Sequence, residues 1–142
     1  MYLASATRPD ISFSVSKLSR FVSNLGGDHW RALERVLRYL KETMSYDIHY
    51  TGYLRVLEGY CDANWISNAD NIYATSEYVF SLKGGAVSWK SCKQTVLMRS
   101  IMETELTGLD TPLVKVEWLR ELLMDLSVVE KTIPTIFINC DN

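Results

Sequence analysis

Asp62, Glu105 and Asp141 are the residues whose types and positions most directly suggest chemistry. Asp62 and Asp141 each end a predicted strand, and Glu105 lies in the first turns of the helix predicted between those strands. Parallel strands joined by a helix finish at the same edge of a sheet, so we expect the two aspartates to be neighbours. Clustered carboxylates repel each other unless a cation lies between them, and Mg²⁺ is often held by one or two carboxylates with water and phosphate. The pattern favours magnesium-dependent phosphate chemistry; the alternative is that these acids are solvated strand ends.

Both strands carry a Cys-Asp pair, Cys61-Asp62 and Cys140-Asp141. We expect these cysteines to be small packing residues, because a cysteine on a strand is usually buried and unreactive. The three cysteines of the chain, which include Cys92, are widely separated and match neither a zinc site nor a disulfide scaffold. Their number and spacing favour a reducing compartment.

Other common catalytic and binding patterns are absent from the sequence. His29 and His49 have no cysteine or acidic partner at metal-ligand spacing, and no G-x-S-x-G sequence is present. The Gly-Gly pairs at 26–27 and 84–85 lack the remainder of a phosphate-binding loop. Hydrolysis by a serine nucleophile and nucleotide binding by a glycine-rich loop are therefore not indicated.

The composition fits an ordinary globular chain. Of its 142 residues 47% are hydrophobic and 23% are charged, and the net charge is −2. No global positive field attracts nucleic acid, so any such contact must be local. No apolar stretch approaches the roughly 20 residues that cross a bilayer, and no leader opens the chain, so we expect an intracellular protein without a membrane partner.

Residues 1–50 are predicted to form a helical segment of their own. They carry seven basic and five acidic residues, whereas residues 51–142 carry eight and twelve. One short amphipathic helix follows Pro9, and a second runs from an N-cap at Asp28 to about Thr43. The basic face of the second helix consists of Arg31, Arg35, Arg38 and Lys41. Such a face is usually solvated; the alternative is contact with a phosphate backbone or a preceding domain.

Residues 51–142 are predicted to form an α/β domain. Strand-forming residues occupy 46–50, 55–62, 77–82 and 86–89, and Lys83-Gly84-Gly85 joins the last two strands in a hairpin. A helical pattern follows from about Ser100 to Leu126, with a kink or break expected near Thr111 because of Pro112. A final strand covers 135–141. Three antiparallel strands, a helix and one parallel strand make a mixed sheet.

These segments together resemble the ribonuclease H region of copia-type retrotransposon Pol polyproteins, preceded by the tail of their reverse transcriptase. The resemblance covers essentially the whole chain. Its segments, in order, are Tyr2-Leu3, Thr7-Arg8-Pro9-Asp10-Ile11, Leu18-Ser19-Arg20-Phe21, His29-Trp30, Leu37-Arg38-Tyr39-Leu40-Lys41, Gly59-Tyr60-Cys61-Asp62-Ala63-Asn64-Trp65, Thr75-Ser76, Tyr78-Val79-Phe80, Gly84-Gly85-Ala86-Val87-Ser88-Trp89-Lys90-Ser91, Glu103-Thr104-Glu105, Trp118-Leu119 and Cys140-Asp141-Asn142.

The resemblance implies a ribonuclease H-like fold that holds two Mg²⁺ (or Mn²⁺) ions and cuts the RNA strand of an RNA–DNA hybrid. It identifies Asp62, Glu105 and Asp141 as catalytic, metal-binding residues. Glu103 is the alternative glutamate; residues two apart on a helix differ by about 200° in direction, and we prefer Glu105 because Ile101 and Leu109 flank it at four-residue spacing. The basic residues expected to contact the phosphates of the hybrid are Lys83, Lys90, Lys93 and Arg99.

The resemblance also implies partners and a location, namely the remaining Pol polyprotein with its reverse transcriptase, and a cytoplasmic virus-like particle with access to the nucleus. The chain departs from the family at Ile72-Tyr73-Ala74, at Glu77 and at Ser100-Ile101-Met102, and it stops before the family's fourth carboxylate and last strand and helix. These departures predict a C-terminally truncated domain that is inactive or slow. The alternatives are a catalytically inactive nucleic-acid-binding module and a retroelement relic without function.

Overall fold

The computed structural model describes residues 2–51, 56–65, 73–126 and 134–140, and it divides the chain into two compact units, Met1–His49 and Tyr50–Asn142. The first unit is helical and the second is built around a sheet. Within the described ranges, no helix is both long enough and apolar enough to cross a membrane.

The helical unit contains α1 (Tyr2–Ala6), a 3₁₀ turn (Pro9–Ile11), α2 (Ser12–Ser19) and α3 (Gly27–Glu42). The prediction of an N-cap at Asp28 is wrong, because α3 begins at Gly27 and its N-cap is Gly26, two residues earlier. The backbone N–H of Gly26 donates to Nδ1 of His29, at 3.0 Å, which is the reciprocal bond of a capping box. Asp28 lies in the first turn, where it forms an exposed ion pair with Arg31.

Arg8 connects the 3₁₀ turn to the end of α3. Its guanidinium donates to the carboxylate of Asp10 at 2.7 Å and to the hydroxyl of Thr43 at 2.6 Å. The hydrogen bond from Arg8 lowers the pKa of Asp10, because it stabilises the charged carboxylate. This small unit therefore depends on a charged contact that acid removes.

We expect the melting temperature of the chain to fall as the pH drops below about 4. A carboxyl whose pKa is lowered in the folded state stabilises the fold fully above its unfolded pKa, about 3.9, and loses that contribution as pH falls through the folded pKa. Thermal unfolding followed by circular dichroism should show a shallower decrease below pH 4 for Asp10→Asn. Asp28→Asn, which removes an exposed pair, should keep the steeper wild-type decrease; identical profiles for wild type and Asp10→Asn would contradict this assignment.

The second unit contains β1 (Leu57–Asn64), β2 (Thr75–Leu82), β3 (Gly85–Lys93), α4 (Ile101–Asp125) and β4 (Phe137–Cys140). The strands form one sheet in the order β3-β2-β1-β4, with β1, β2 and β3 antiparallel and β4 parallel to β1. The predicted α/β class and mixed sheet are confirmed. The predicted strand at 46–50 is wrong, since these residues are neither strand nor helix.

The hairpin between β2 and β3 turns at Lys83 and Gly84. Their φ angles are 54° and 80°, as in the two-residue turns whose twist matches that of antiparallel strands. Gly84 meets the need for a positive φ at no steric cost, and Lys83 tolerates it at a small one. The predicted hairpin is confirmed, with Gly85 as the first residue of β3.

Helix α4 runs uninterrupted for 25 residues, so of the predicted kink or break near Thr111 the break does not occur. Pro112 lies inside the helix and its side chain is fully buried. It shares one face with the other buried residues of α4, which are Thr104, Gly108 and Leu119. Packing of this face against the sheet holds the helix together across the hydrogen bond that proline cannot make.

The core between α4 and the sheet is centred on Leu57, Phe80 and Leu119. Gly59 and Gly108 lack a Cβ, and this allows neighbouring side chains to approach the backbone closely at these two positions. A Cβ on Gly59 would lie 2.6 Å from the Phe80 ring, and a Cβ on Gly108 would lie 2.8 Å from the Cβ of Ala63. The helix can therefore rest on β1 directly beside Asp62.

We expect Gly108→Ala to lower the free energy of unfolding by about 1 kcal/mol, although alanine in a helix is favoured by about that amount over glycine. The added Cβ must displace α4 from β1, and urea denaturation measures the cost. Adding Ala63→Gly should recover the loss, because it removes the atom that the new Cβ meets. Gly27→Ala, where nothing lies within 4 Å, is the control; a stabilising Gly108→Ala would contradict the close approach.

Candidate functional site

Asp62 lies on the exposed face of β1. The strand continues for two residues beyond it to Asn64, so the prediction that β1 ends at Asp62 is wrong. Burial alternates along β1: Ala63 is buried toward α4, and Asp62 is exposed on the other side of the strand. Asp62 therefore offers its carboxylate to solvent.

Glu77 is directly opposite Asp62 on β2, and sequence reasoning did not place it in the site. Directly opposed side chains on antiparallel strands have Cβ atoms about 5 Å apart, and like charges at such positions repel. The hydroxyl of Ser91 donates to Oε1 of Glu77 at 3.1 Å. The sequence did not reveal this pairing, because the register of β1 on β2 is not set by a short turn.

The two glutamates of α4 have different environments. Glu103 is exposed, and its carboxylate accepts a hydrogen bond from the backbone N–H of Arg99 at 2.8 Å. The N–H of Glu103 in turn donates to Oγ of the N-cap residue Ser100, so Glu103 acts as a capping residue.

Glu105 is half-buried and follows the fully buried Thr104. It lies one turn before Gly108, which rests against Ala63 on the face of β1 opposite to Asp62. Ile101, from which the sequence argument defined this face, is 54% exposed. The sheet-facing side of α4 is instead marked by Thr104, Gly108 and Pro112.

Asp141 lies outside the described residues. It follows Cys140 in the sequence, and Cys140 is the last residue of β4. In the register of the parallel pair, Cys140 is the partner of Cys61, the residue before Asp62. Within the described ranges no group of three or more His, Cys, Asp or Glu side chains is arranged to hold a metal, and these ranges contain two of the three predicted ligands.

Cys61 and Cys140 form a disulfide, so the prediction that they are simple packing residues is wrong. Their Cα atoms are 5.0 Å apart, within the usual range for such a bond. The sequence did not indicate this bond, because the two residues are 79 positions apart and only the β1–β4 register makes them partners. Cys92 is a free thiol.

The donor chemistry of the site fits a hard divalent cation. Carboxylate oxygens are the ligands that Mg²⁺ takes. In the part of the chain that the structure describes, neither Asp62 nor Glu105 forms an ion pair with a basic side chain. Negative charge at Asp62 is thus not compensated by the described protein groups, and a cation would compensate it.

Gln94 fixes the start of α4 against the sheet. Its buried side-chain amide donates to the hydroxyl of Ser76 at 2.7 Å and to the carbonyl of Thr104 at 3.1 Å. Ser76 pairs with Ala63 on β1, and Thr104 precedes Glu105. Trp65 adds a second connection, since its indole N–H donates to the carbonyl of Met98. These bonds position Glu105 relative to β1.

The four basic residues predicted to contact nucleic acid do not form one patch. Lys83 lies in the hairpin turn, six residues beyond the position opposite Asp62, or about 20 Å along the strand. Lys93 is opposite Thr75, at the same end of the sheet as Asp62, with its ammonium 4.2 Å from the ring centroid of Tyr73. Arg99 precedes the N-cap of α4, and Lys90 is exposed on β3.

A cavity of about 340 Å³ lies between α4 and the residues that lead into β4. Its lining consists of Val116, Glu117, Arg120, Pro134, Thr135 and Ile136. The adjoining strand residue, Phe137, pairs with Glu58, which lies four positions before Asp62 on β1. The cavity is therefore at the opposite end of β1 from the carboxylates.

We expect Gln94→Leu to lower the free energy of unfolding by about 1 to 3 kcal/mol, because it leaves Ser76 and the Thr104 carbonyl without a buried donor. Urea denaturation measures this loss. Ser91→Ala, which removes a half-buried hydrogen bond from β3, should cost about 1 kcal/mol or less. Equal stabilities of wild type and Gln94→Leu would show that the amide does not hold α4.

Comparison with known proteins gives several relatives. The chain is 42% identical over 120 residues to "Secreted RxLR effector protein 161" of Plasmopara viticola, covering 84% of each chain. It is 35% identical over 131 residues to the retrovirus-related Pol polyprotein from transposon TNT 1-94 of Nicotiana tabacum. It is 37% identical over 142 residues to that from transposon RE2 of Arabidopsis thaliana.

The two transposon alignments cover 92% and 99% of this chain but 10% of each polyprotein. The chain thus spans about one tenth of the Pol relatives' length. No family model matches the chain. No solved structure matches it either.

Proposed function

Because the chain belongs to the retrovirus-related Pol polyproteins of copia-type transposons, we propose that its second unit is their ribonuclease H module. The proposed reaction is hydrolysis of the RNA strand of an RNA–DNA hybrid, with Mg²⁺ or Mn²⁺ as the cofactor. The helical unit is then the tail of the reverse transcriptase, and the remaining polyprotein is its partner. The place of action is the cytoplasmic particle in which reverse transcription occurs, with access to the nucleus.

The observation that carries this proposal is the parallel pairing of β1 with β4. Cys61 and Cys140 are register partners, and Asp62 and Asp141 are the residues that follow them in the sequence. Helix α4, which connects β3 to β4, passes the same stretch of β1 on the face that carries Ala63, whereas Asp62 is on the opposite face. The register therefore supports a cation-binding region at Asp62 and Asp141, which Glu105 joins only by reaching past the end of β1.

In this proposal the carboxylates of Asp62, Glu105 and Asp141 are the residues that would hold the metal. Bound divalent ions lower the pKa of an attacking water and stabilise the charge on the leaving oxygen. Lys93 and Arg99 contact the phosphates of the hybrid, because they lie nearer the carboxylates than Lys83 does. The 2′-hydroxyl groups distinguish the RNA strand from DNA.

We expect Asp62→Asn and Glu105→Gln to weaken Mn²⁺ binding by about tenfold or more, because each removes a charged ligand. Calorimetric titration of the full chain measures this binding. Glu103→Gln is the matched control: it changes a glutamate two positions away that acts as a cap, and it should leave the affinity within about twofold. Unchanged binding in both Asp62→Asn and Glu105→Gln would contradict the site.

The activity is tested separately, with a labelled RNA–DNA hybrid and either metal. Slow cleavage of the RNA strand that Asp62→Asn reduces at least about 100-fold supports the enzyme. Binding of the hybrid that weakens with salt, without cleavage, contradicts the enzyme and supports a binding module. Cleavage that Asp62→Asn leaves unchanged also contradicts the proposal.

A further inference from the structure

We propose that Cys61 and Cys140 form a reversible lock, in which a disulfide fixes β4 on β1 and its reduction releases β4. The proposal concerns the docking of a strand and does not depend on the nuclease activity proposed above. It makes the edge of the sheet, on the side that leads to Asp141, sensitive to the redox state of the surroundings.

The geometry of the β1–β4 ladder allows the bond to form without movement of the backbone. Cys61 and Cys140 are direct partners, and their Cα atoms are 5.0 Å apart. Residues more than about 7 Å apart could be bridged only if the backbone moved. Cys61 is half-buried and Cys140 is exposed, so a small thiol in solution can reach the pair.

Strand β4 is weakly held by other interactions. It has four residues and is at the edge of the sheet, with β1 as its only described neighbour. Phe137 is 67% exposed, and Ile138 is a partly buried neighbour of the core. One side-chain hydrogen bond, from Asn139 to the carbonyl of Gly59 at 3.3 Å, supplements the ladder. A short edge strand with these contacts opens more readily than the central strands.

A disulfide at this position has a large effect on the state in which β4 has separated from β1. It joins residues 79 positions apart, and closing a longer loop removes more freedom from the open chain. With the bond formed, β4 can separate from β1 only at its first residues. With the bond reduced, the whole of β4 depends on its ladder and on Ile138.

The chemistry is balanced by a low-molecular-weight disulfide, such as oxidised glutathione. The thiolate of one cysteine attacks this disulfide and displaces one glutathione thiol. The second cysteine then attacks the mixed disulfide and displaces the other, so that two protein thiols become one disulfide and the oxidant becomes two thiols. Excess reduced glutathione reverses both steps.

The lock also bears on the candidate metal site, since each cysteine directly precedes a carboxylate in the sequence, Asp62 or Asp141. The closed lock sets the spacing of the backbone at Cys61 and Cys140. This consequence rests on the proposed function, whereas the lock itself does not.

In the test, the full chain is equilibrated in oxidised and in reduced glutathione buffers. Alkylation and mass spectrometry then count the free thiols, and hydrogen exchange is measured for residues 137–140. In the oxidised chain we expect one alkylated thiol, Cys92, and exchange in β4 at least tenfold slower than in the reduced chain. Cys61→Ser and Cys140→Ser should each show the fast exchange in both buffers. Cys92→Ser is the control and should keep the difference.

Two results would overturn the proposal. One is a disulfide that involves Cys92 or a second chain in place of the Cys61–Cys140 bond. The other is equal exchange of β4 in oxidised and reduced wild-type protein. The wild-type comparison needs no substitution, so the test stands even where a serine variant folds poorly. Loss of metal binding or hybrid cleavage with the exchange difference intact would contradict the proposed function alone.

Discussion

The parallel pairing of β4 with β1, beneath a helix that rests directly on β1, is the constraint on which the second unit depends. Hydrogen bonds of the ladder align Cys61 with Cys140. Gly108 lets α4 approach Ala63 closely, and Gln94 connects the first turns of α4 to β2. The residues that carry chemistry in this account are next to those that form these contacts, so packing and site are set by the same few interactions.

Redox state and charge act on this arrangement in different ways. The disulfide adds a covalent restraint to a strand that is otherwise short and exposed. The carboxylates act in the opposite direction, because Asp62 is directly opposite Glu77 and like charges on paired strands repel. A divalent cation would relieve that repulsion between β1 and β2. The disulfide and a bound cation therefore act on different strand pairs of the sheet.

The sequence predicted the order of elements well, since each depends on local patterns. The hairpin required a residue tolerant of positive φ, and Lys83-Gly84 provides it. Alternating apolar residues marked β1, β2 and β3. The strand predicted at 46–50 was wrong, because β-forming residues alone do not make a strand without a partner strand. Of the kink or break predicted near Thr111, the break does not occur, because tertiary packing of its buried face holds α4 together.

The candidate site was predicted only in part, because its missing features depend on register and packing. Nothing local shows that Cys61 is a partner of Cys140, or that Glu77 is opposite Asp62. The distinction between Glu103 and Glu105 follows from helical rotation, but the capping role of Glu103 depends on hydrogen bonds that the sequence does not display. The positions of the predicted basic residues also depend on strand length, which places Lys83 far from Asp62.

The central claim, that a divalent cation binds at the end of β1 that carries Asp62, is tested most directly by paramagnetic broadening. Substoichiometric Mn²⁺ is added to the isotope-labelled full chain, and the loss of each backbone amide signal is recorded. The account predicts selective loss around Asp62 and Glu105, and persistence of the signals of the Lys83-Gly84 turn. Broadening centred elsewhere, or uniform weak broadening along the chain, would contradict it.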